Sequence, residues 1–197
     1  MLSGSSRQGR MLLPAAFCLL CLACAAEVGA QPAATQGWAF GLGTGAAAVS
    51  FGSGPGDGAA LVGLWIGYGL NRIVTPYLGG AYADIRSRGL EAFDRLTFSH
   101  VDLGVRLHVA GRRRWVPYGD LAVTFWRASD VLRNGERTAT DFASVPTLSA
   151  GGGLAVYLSE SWALDLNVKA ARGTLSGAAL SLDAASFRLG VGLSWWP

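Results

Sequence analysis

Two histidines are the residues in this sequence best suited to proton transfer, and their spacing limits what they can do together. His100 and His108 lie in an alternating stretch predicted to be a β-strand, where eight residues at about 3.3 Å each separate them by roughly 26 Å. Ser99 neighbours His100 but points to the opposite face, whereas a serine–histidine pair needs contact near about 3 Å. The serine would have to come from an adjacent strand, so we predict no catalytic residues.

Metal and cofactor chemistry has equally little support. His100 and Asp102 share one face of the predicted strand, but a third ligand would have to come from across the interior, so a hydrogen-bonded His–Asp pair is the simpler interpretation. Cys18, Cys21 and Cys24 have a C-x-x-C-x-x-C spacing that superficially resembles an iron–sulfur motif. They lie in an apolar segment that export would remove, and we therefore predict neither a metal site nor a cofactor.

Residues 1–30 have the three parts of a secretory signal peptide. Arg7 and Arg10 form the positive region, residues 12–26 are apolar, and small residues precede a cleavage site ahead of Gln31. This pattern predicts Sec-dependent export. Cleavage before Cys24, which would become a lipidation site, is an alternative because the residues before it form a partial lipobox.

After the signal peptide we expect a short lead-in, residues 31–36, and a single domain over residues 37–197. Without Arg7, Arg10 and Glu27, the 16 basic and 13 acidic residues fall to 14 and 12, a formal charge of +2. So weak a charge, without a long basic stripe, argues against a nucleic-acid partner.

The hydrophobic residues are spread along the chain rather than gathered in helices. The sequence is 51% hydrophobic with a mean hydropathy of +0.33, yet no apolar run after the N-terminus is long enough for a transmembrane helix. Residues 100–109 and 187–195 instead alternate strictly, with large apolar side chains on one face and small, polar or charged ones on the other. Nine such residues, tilted by about 40°, cover about 20 Å, close to the apolar band of a membrane barrel.

Eight stretches of this kind are separated alternately by longer loops and short turns. The loops are residues 52–58, 86–95, the segment around Asn134-Gly135, and 172–184; the turns are residues 70–72, 111–114 and 159–161. This order predicts an all-β fold: an eight-stranded antiparallel up-and-down transmembrane β-barrel with short periplasmic turns and longer extracellular loops. Aromatic residues at the strand ends predict two interfacial belts. The belt at the turns is Trp38, Tyr68, Tyr77, Trp115, Tyr118, Tyr157, Trp162 and Trp195; the belt at the loops is Phe51, Phe98, Phe125, Trp126, Phe142 and Phe187.

The interior of so narrow a barrel has room only for side chains, and the predicted inward charges have both signs. We expect them to pair into a structural plug, because an unpaired charge away from water is costly; a proton- or ion-conducting file is the alternative. The sequence leaves open which way the third and fifth strands face. Asp84 favours the even-numbered residues of the third strand pointing inward, and Asp120 favours the same for the fifth. The predicted inward charged and histidine residues are Asp84, His100, Asp102, Arg106, His108, Asp120, Asp165, Lys169 and Arg188. Inward glycines should leave room for bulky inward side chains such as Trp65 and Tyr157.

Residues 37–197 resemble the small outer-membrane protein β-barrel domain family, of the OmpA/OmpX-like eight-stranded type. The closing stretch Arg188-x-Gly190-x-x-Leu193-x-Trp195 resembles the C-terminal signal that this family presents to the barrel-assembly machinery. The resemblance implies a place in the outer membrane of a Gram-negative cell, among outer-membrane lipids and lipopolysaccharide. Trp196 and Pro197 depart from the family pattern and leave open whether Trp195 or Trp196 is the terminal aromatic residue.

We therefore expect an integral outer-membrane barrel, a monomer, with a structural, envelope-integrity or adhesin-like surface-interaction role and no catalysis. The loop around Asn134 and Gly135 is the candidate contact for a surface protein partner, because Asn-Gly favours a type I′ hairpin and its flanking strands should project as a ribbon. Two alternatives remain at this point. They are a lipid-modifying outer-membrane enzyme acting on lipid A acyl chains, and a very narrow ion- or proton-conducting pore.

Overall fold

The computed structural model describes residues 36–51, 57–86, 95–109, 114–133, 136–138, 142–176 and 181–197. The predicted signal peptide lies outside these residues. Within them, no helix is long and apolar enough to cross a membrane.

The described residues form ten β-strands, and every pairing between them is antiparallel. The strands are β1 (Gly37–Phe51), β2 (Asp57–Gly69), β3 (Val74–Arg86), β4 (Arg95–His108), β5 (Trp115–Arg133), β6 (Glu136–Thr138), β7 (Phe142–Ser144), β8 (Thr147–Tyr157), β9 (Trp162–Ser176) and β10 (Ser181–Trp195).

The eight long strands close on themselves into an up-and-down barrel. Each pairs with the next long strand along the chain, and β10 returns to β1 in a register that runs from Phe40 opposite Trp195 to Phe51 opposite Ala184. The two short strands lie outside this ring order: β6 pairs with β5, and β7 bridges β5 and β9. Closure leaves the long strands without a free edge, which is required in lipid because no water is present to satisfy backbone N–H and C=O groups.

The outer wall is apolar and the inner wall is small or polar, as the alternation predicted. On β4, Val101, Leu103, Val105 and Leu107 are exposed on the outside, whereas His100, Asp102, Arg106 and His108 are buried inside. On β5, Asp120, Ala122 and Thr124 face the lumen while Leu121 and Phe125 face out, so the inward position predicted for Asp120 is confirmed.

The facing of β3 is the reverse of the prediction. Thr75, Tyr77 and Ile85 are buried inside the barrel, so the odd-numbered residues point inward, and Asp84 lies on the outer face. The carboxylate of Asp84 does not indicate an inward face, because Asp84 lies near the extracellular end of the strand, beyond the apolar band. An outward carboxylate at this height does not contact lipid tails. There it accepts a hydrogen bond from Arg95 Nε at 2.7 Å.

The connections follow the predicted order, although β2 begins at Asp57, inside the predicted loop 52–58, and the last loop differs more in length. At the first turn the Asn71 side chain accepts backbone hydrogen bonds from Ile73 and Val74, and at the third turn Ser159 Oγ accepts one from Trp162 N. The predicted loop 172–184 is wrong in extent. β9 and β10 stay paired as far as Ser176 opposite Ser181, because alternating small and polar residues can continue a sheet beyond the membrane.

The two aromatic belts are present but contain fewer members than predicted. Five residues placed in the belts are buried inside the barrel: Tyr77, Tyr118, Tyr157, Phe98 and Trp126. For Tyr157 the predicted inward facing is confirmed. The two-residue period of a strand determines which side a residue faces, and nearness to the strand end does not change it. Each of the five lies on the inward face of its strand. Outward aromatic side chains at the turn end are Trp38, Phe40, Tyr68, Trp115, Trp162 and Trp195, and those towards the loop end are Tyr82, Phe125 and Phe187.

Candidate functional site

The middle of the lumen holds a layer of six charged side chains with matched signs. They come from four strands, β4, β5, β9 and β10, and each is at most 8% exposed. Three are carboxylates and three are cations, so the layer is neutral when its histidine neighbours are neutral. The six are Asp102, Asp120, Asp165, Arg106, Lys169 and Arg188.

Arg106 holds one side of this layer. Its Nη1 donates to Asp165 Oδ2 at 2.8 Å, and its Nη2 lies 3.8 Å from Asp120 Oδ2. The guanidinium carbon also lies 4.0 Å from the ring centroid of Tyr118 and 4.6 Å from that of Trp65. Both aromatic faces attract a cation, so Arg106 is held by charge and by stacking at once. Close approach explains one glycine here: a Cβ added at Gly41 would overlap the Trp65 indole.

Asp102 and Lys169 hold the other side. Lys169 Nζ lies 3.1 Å from Asp102 Oδ2 and 3.2 Å from Asp120 Oδ1, so the one ammonium joins two carboxylates. Arg188 Nη1 donates to Asp102 Oδ2 at 3.1 Å, and Thr124 Oγ1 donates to Asp102 Oδ1 at 2.6 Å. The predicted pairing of the inward charges is therefore present, and each ion has a counter-ion in contact.

Two tyrosines complete this network, although the sequence predicts both of them in the aromatic belt at the turns. Tyr77 donates to Asp120 Oδ1 at 2.5 Å and accepts from Lys169, while Tyr118 donates to Asp165. For Tyr118 a signal was available: it lies two residues before Asp120, so the strand period puts both on one face.

The two histidines are buried inside the lumen, at different depths. His100 contacts Arg188 and lies 3.8 Å from Asp102, whereas His108 Nε2 is 3.4 Å from Thr75 Oγ1 and its ring lies 5.7 Å from the Trp196 ring. Ser99 is on the opposite, outer face, where its hydroxyl donates to the Arg127 carbonyl oxygen. Among the described residues, no three His, Cys, Asp or Glu side chains are grouped so that they could hold a metal ion.

Apolar side chains close the lumen on both sides of the charged layer. Towards the loops, the inward cluster is Ala47, Val49, Leu61, Ala83, Ile85, Phe98, Trp126, Ala128, Ala171, Leu175 and Ala184. Towards the short turns, it is Ala39, Val116, Tyr118, Ala155, Tyr157, Ala163 and Trp196, with Trp65 packed against it. A cavity of about 120 Å³ lies beside the charged layer, along Gly43, Gly63, Gly190 and Gly192.

The C-terminal residues divide between the two sides of the wall. Trp195 is on the lipid-facing side, where its ring lies 5.9 Å from that of Phe40 and 6.3 Å from that of Trp162. Trp196 turns inward, is 2% exposed, and its backbone N–H donates to the Ser161 carbonyl at 2.8 Å. Trp195 therefore occupies the outward terminal aromatic position, and Trp196 fills the end of the lumen.

The extracellular end carries the candidate contact surface, a β-ribbon formed by the upper part of β5 and by β6. β5 continues eight residues past Phe125 to Arg133, and its last three residues pair with β6, ending with Arg133 opposite Glu136. Asn134 and Gly135, the predicted hairpin residues, lie outside the described part of the chain. The pairing on either side of them agrees with a two-residue connection.

A closed ring with an apolar outside, aromatic ends and an ion-paired interior defines an integral outer-membrane β-barrel. The chain belongs to the outer membrane protein beta-barrel domain family, whose model matches residues 16–194. The protein is accordingly located in the outer membrane of a Gram-negative cell, in contact with its lipids and lipopolysaccharide.

Solved structures with the same fold include three small outer-membrane proteins. Neisserial surface protein A has a TM-score of 0.63 and 13% identity, covering 82% of this chain and 98% of that one. OprG from Pseudomonas aeruginosa has a TM-score of 0.53 and 14% identity, with 82% and 98% covered. Ail, the attachment invasion locus protein of Yersinia pestis, has a TM-score of 0.50 and 16% identity, with 81% and 99% covered. A search among curated proteins found no match.

Proposed function

We propose that this protein is a monomeric, non-catalytic barrel whose working part is its extracellular end, where the β5–β6 ribbon contacts another protein at the cell surface. The observation that carries the proposal is the ribbon itself. β5 is 19 residues long, far more than the membrane requires, and its extension is paired rather than irregular. Such a ribbon offers a face and an edge to a partner.

The filled lumen supports the absence of catalysis. Both histidines are buried inside the wall, away from the side that faces lipid. Ser99 lies on that side, separated from His100 by the wall. The rival function would gain support if the purified protein hydrolysed lipid A acyl chains and His100→Ala removed that activity.

Two further parts of the proposal rest on β10. Because β10 closes the ring with β1 of the same chain, no second copy is needed to complete the sheet, which favours a monomer. The outward Leu193 and Trp195, with the inward Arg188 and Gly190, are the residues that we propose the barrel-assembly machinery recognises.

The ribbon can be tested without disturbing the barrel. Ala128 is opposite Phe142, so replacing residues 130–140 by Asn-Gly should rejoin β5 to β7 in its present register. Cells displaying this variant should lose adherence to immobilised extracellular-matrix proteins, at equal surface expression and unchanged heat-modifiable gel migration.

A matched control shortens a neighbouring connection at the same end. Arg86 is directly opposite Arg95, so residues 87–94 can also be replaced by Asn-Gly without a shift in register. Adherence should survive this second change. If the ribbon variant adheres as well as the wild type, or both variants lose adherence equally, the ribbon is not the contact surface.

A narrow pore remains the second candidate because the cavity of about 120 Å³ lies beside the charged layer. Conduction would have to pass the apolar clusters on either side, and this weighs against it. Arg106→Ala and Asp165→Ala should leave the conductance of reconstituted bilayers unchanged. A clear change in either variant would support the pore.

A further inference from the structure

The cavity beside the charged layer is bordered on one side by bare backbone. Four glycines that lie close together in the sheet give the lumen no side chain here: Gly190 and Gly192 on β10, Gly43 on β1 and Gly63 on β2. Arg188, also on β10, lines the same cavity. Because a water molecule takes up roughly 30 Å³ in the liquid, a cavity of about 120 Å³ has room for a molecule of about four non-hydrogen atoms.

Arg188 uses only one of its two hydrogen-bonding edges within the protein. Its end-on edge meets Asp102, with Nη1 at 3.1 Å from Oδ2 and Nη2 at 3.5 Å from Oδ1. The side-on edge consists of Nε–H and the second Nη2–H. Arg188 is only 5% exposed, yet its Nε has no acceptor among the residues that the structure describes. Two parallel N–H groups on one guanidinium edge are the geometry that binds a planar oxyanion through paired hydrogen bonds.

Two more buried nitrogens that belong to residues lining this cavity lack a partner within the described part of the chain. Arg106 Nε is one of them. His100 Nδ1 is the other, and it is a donor: the ring's Nε2 faces Arg188 Nη1, which can only donate, so the ring proton belongs on Nδ1. All three groups are therefore donors that require an acceptor. This favours a ligand that accepts hydrogen bonds and donates few or none.

The charge of the layer restricts the ligand to one negative charge. Three carboxylates already balance three cations, so a bound anion adds one uncompensated charge to a buried site, which is costly. Charge-assisted hydrogen bonds from the side-on edge of Arg188 offset part of that cost, and the remainder keeps the binding weak. A multiply charged anion such as phosphate exceeds both the charge and the size that the cavity accepts.

We propose that the cavity binds a small, planar, monovalent oxyanion, of the class of formate, nitrate and bicarbonate, on the side-on edge of Arg188. The ligand enters as the ring closes, because apolar clusters cover the lumen on both sides of the layer. It then joins Arg188 on β10 to donors on β4 and so stabilises the closed barrel. This role goes beyond contact at the cell surface and does not depend on the β5–β6 ribbon.

Formate is the probe, and trimethylacetate is the comparison anion because it has the same charge and is too bulky for the cavity. Urea unfolding of the purified full chain in phosphatidylcholine vesicles is measured in the sodium salt of each anion. At about 100 mM salt and a dissociation constant of about 10 mM, formate should raise the folding equilibrium constant about tenfold over trimethylacetate, equivalent to roughly 1.4 kcal/mol.

Arg188→Lys keeps a positive charge beside Asp102 but has no side-on edge, so formate should raise its folding constant by less than about twofold. The matched control is Arg172→Lys, at an exposed position on the outer face of β9, which should retain the full effect of formate. Equal stabilisation of Arg188→Lys and the wild type would overturn the proposal. An equal effect of formate and trimethylacetate on the wild type would also overturn it, because the salt would then act without a site.

A direct measurement on the wild type does not depend on whether Arg188→Lys folds. Isotope-labelled formate, present while the barrel folds, should give a second magnetic resonance signal beside that of free formate, because the closed ring releases its ligand slowly. A single signal at the position of free formate would overturn the proposal, since the cavity would then hold water only.

Discussion

Removing one cation from the lumen should destabilise the barrel more than any change on its outer surface. Arg106→Met keeps most of the side-chain volume but leaves three carboxylates facing two cations. At 2.8 Å and an effective dielectric constant of about 20, the contact between Arg106 and Asp165 corresponds to about 6 kcal/mol of Coulomb energy, part of which offsets the cost of burial. We expect the free energy of unfolding to fall by about 3–5 kcal/mol, the usual loss when one partner of a buried pair is removed.

A second variant separates charge balance from packing. Arg106→Met with Asp165→Asn removes one charge of each sign, and the amide oxygen of Asn can still accept from Tyr118. Because two carboxylates then face two cations, this double variant should be less stable than the wild type by only about 1–2 kcal/mol. Arg172→Met, at an exposed outward position, should change stability by no more than about 0.5 kcal/mol.

Urea unfolding in lipid vesicles, followed by tryptophan fluorescence and gel migration, measures all of these variants. A loss below about 1 kcal/mol for Arg106→Met would show that the charged layer contributes little to stability. A double variant as unstable as the sum of its two single changes would show that the two side chains do not interact.

Two further outcomes follow from the C-terminus and from the extracellular end. Trp196→Ala should lower the free energy of unfolding by about 3–5 kcal/mol, because it empties the end of the lumen, and Trp195→Ala should lower it by less than half as much. The reverse order in urea unfolding would refute the inward placement of Trp196. The hydrogen bond from Arg95 lowers the pKa of the Asp84 carboxyl, so its small stabilising effect is present above the unfolded pKa of about 3.9 and is lost as pH falls through the folded value. The unfolding midpoint of Asp84→Asn should lie slightly below that of the wild type at pH 7 and equal it at the acidic end of a titration; a difference that persists in acid would refute this account.

Local sequence predicted most of the wall because the two-residue period is a property of each strand by itself. Residues 100–108 and 187–195 needed no neighbour to show which side faces lipid. The period failed where both faces of β3 carry small residues, since Ala and Gly fit either side. Tyr118 has the same inward parity as Asp120, so its place near a strand end does not make it a belt residue, whereas Tyr77 lies inside because the facing of β3 is the reverse of the prediction.

The sequence by itself determined the class of fold, the location and the list of charged residues that point inward, with Asp84 as the exception. The tertiary structure decided which of them meet. Lys169 and Asp102 are 67 residues apart, and Arg188 and Asp102 are 86 apart, yet each pair is in contact at 3.1 Å. Partners across a lumen depend on the stagger between strands when the sheet closes, and on side chains that reach from opposite walls. No local pattern records that stagger, and so only the closed ring shows that three carboxylates and three cations form one neutral layer.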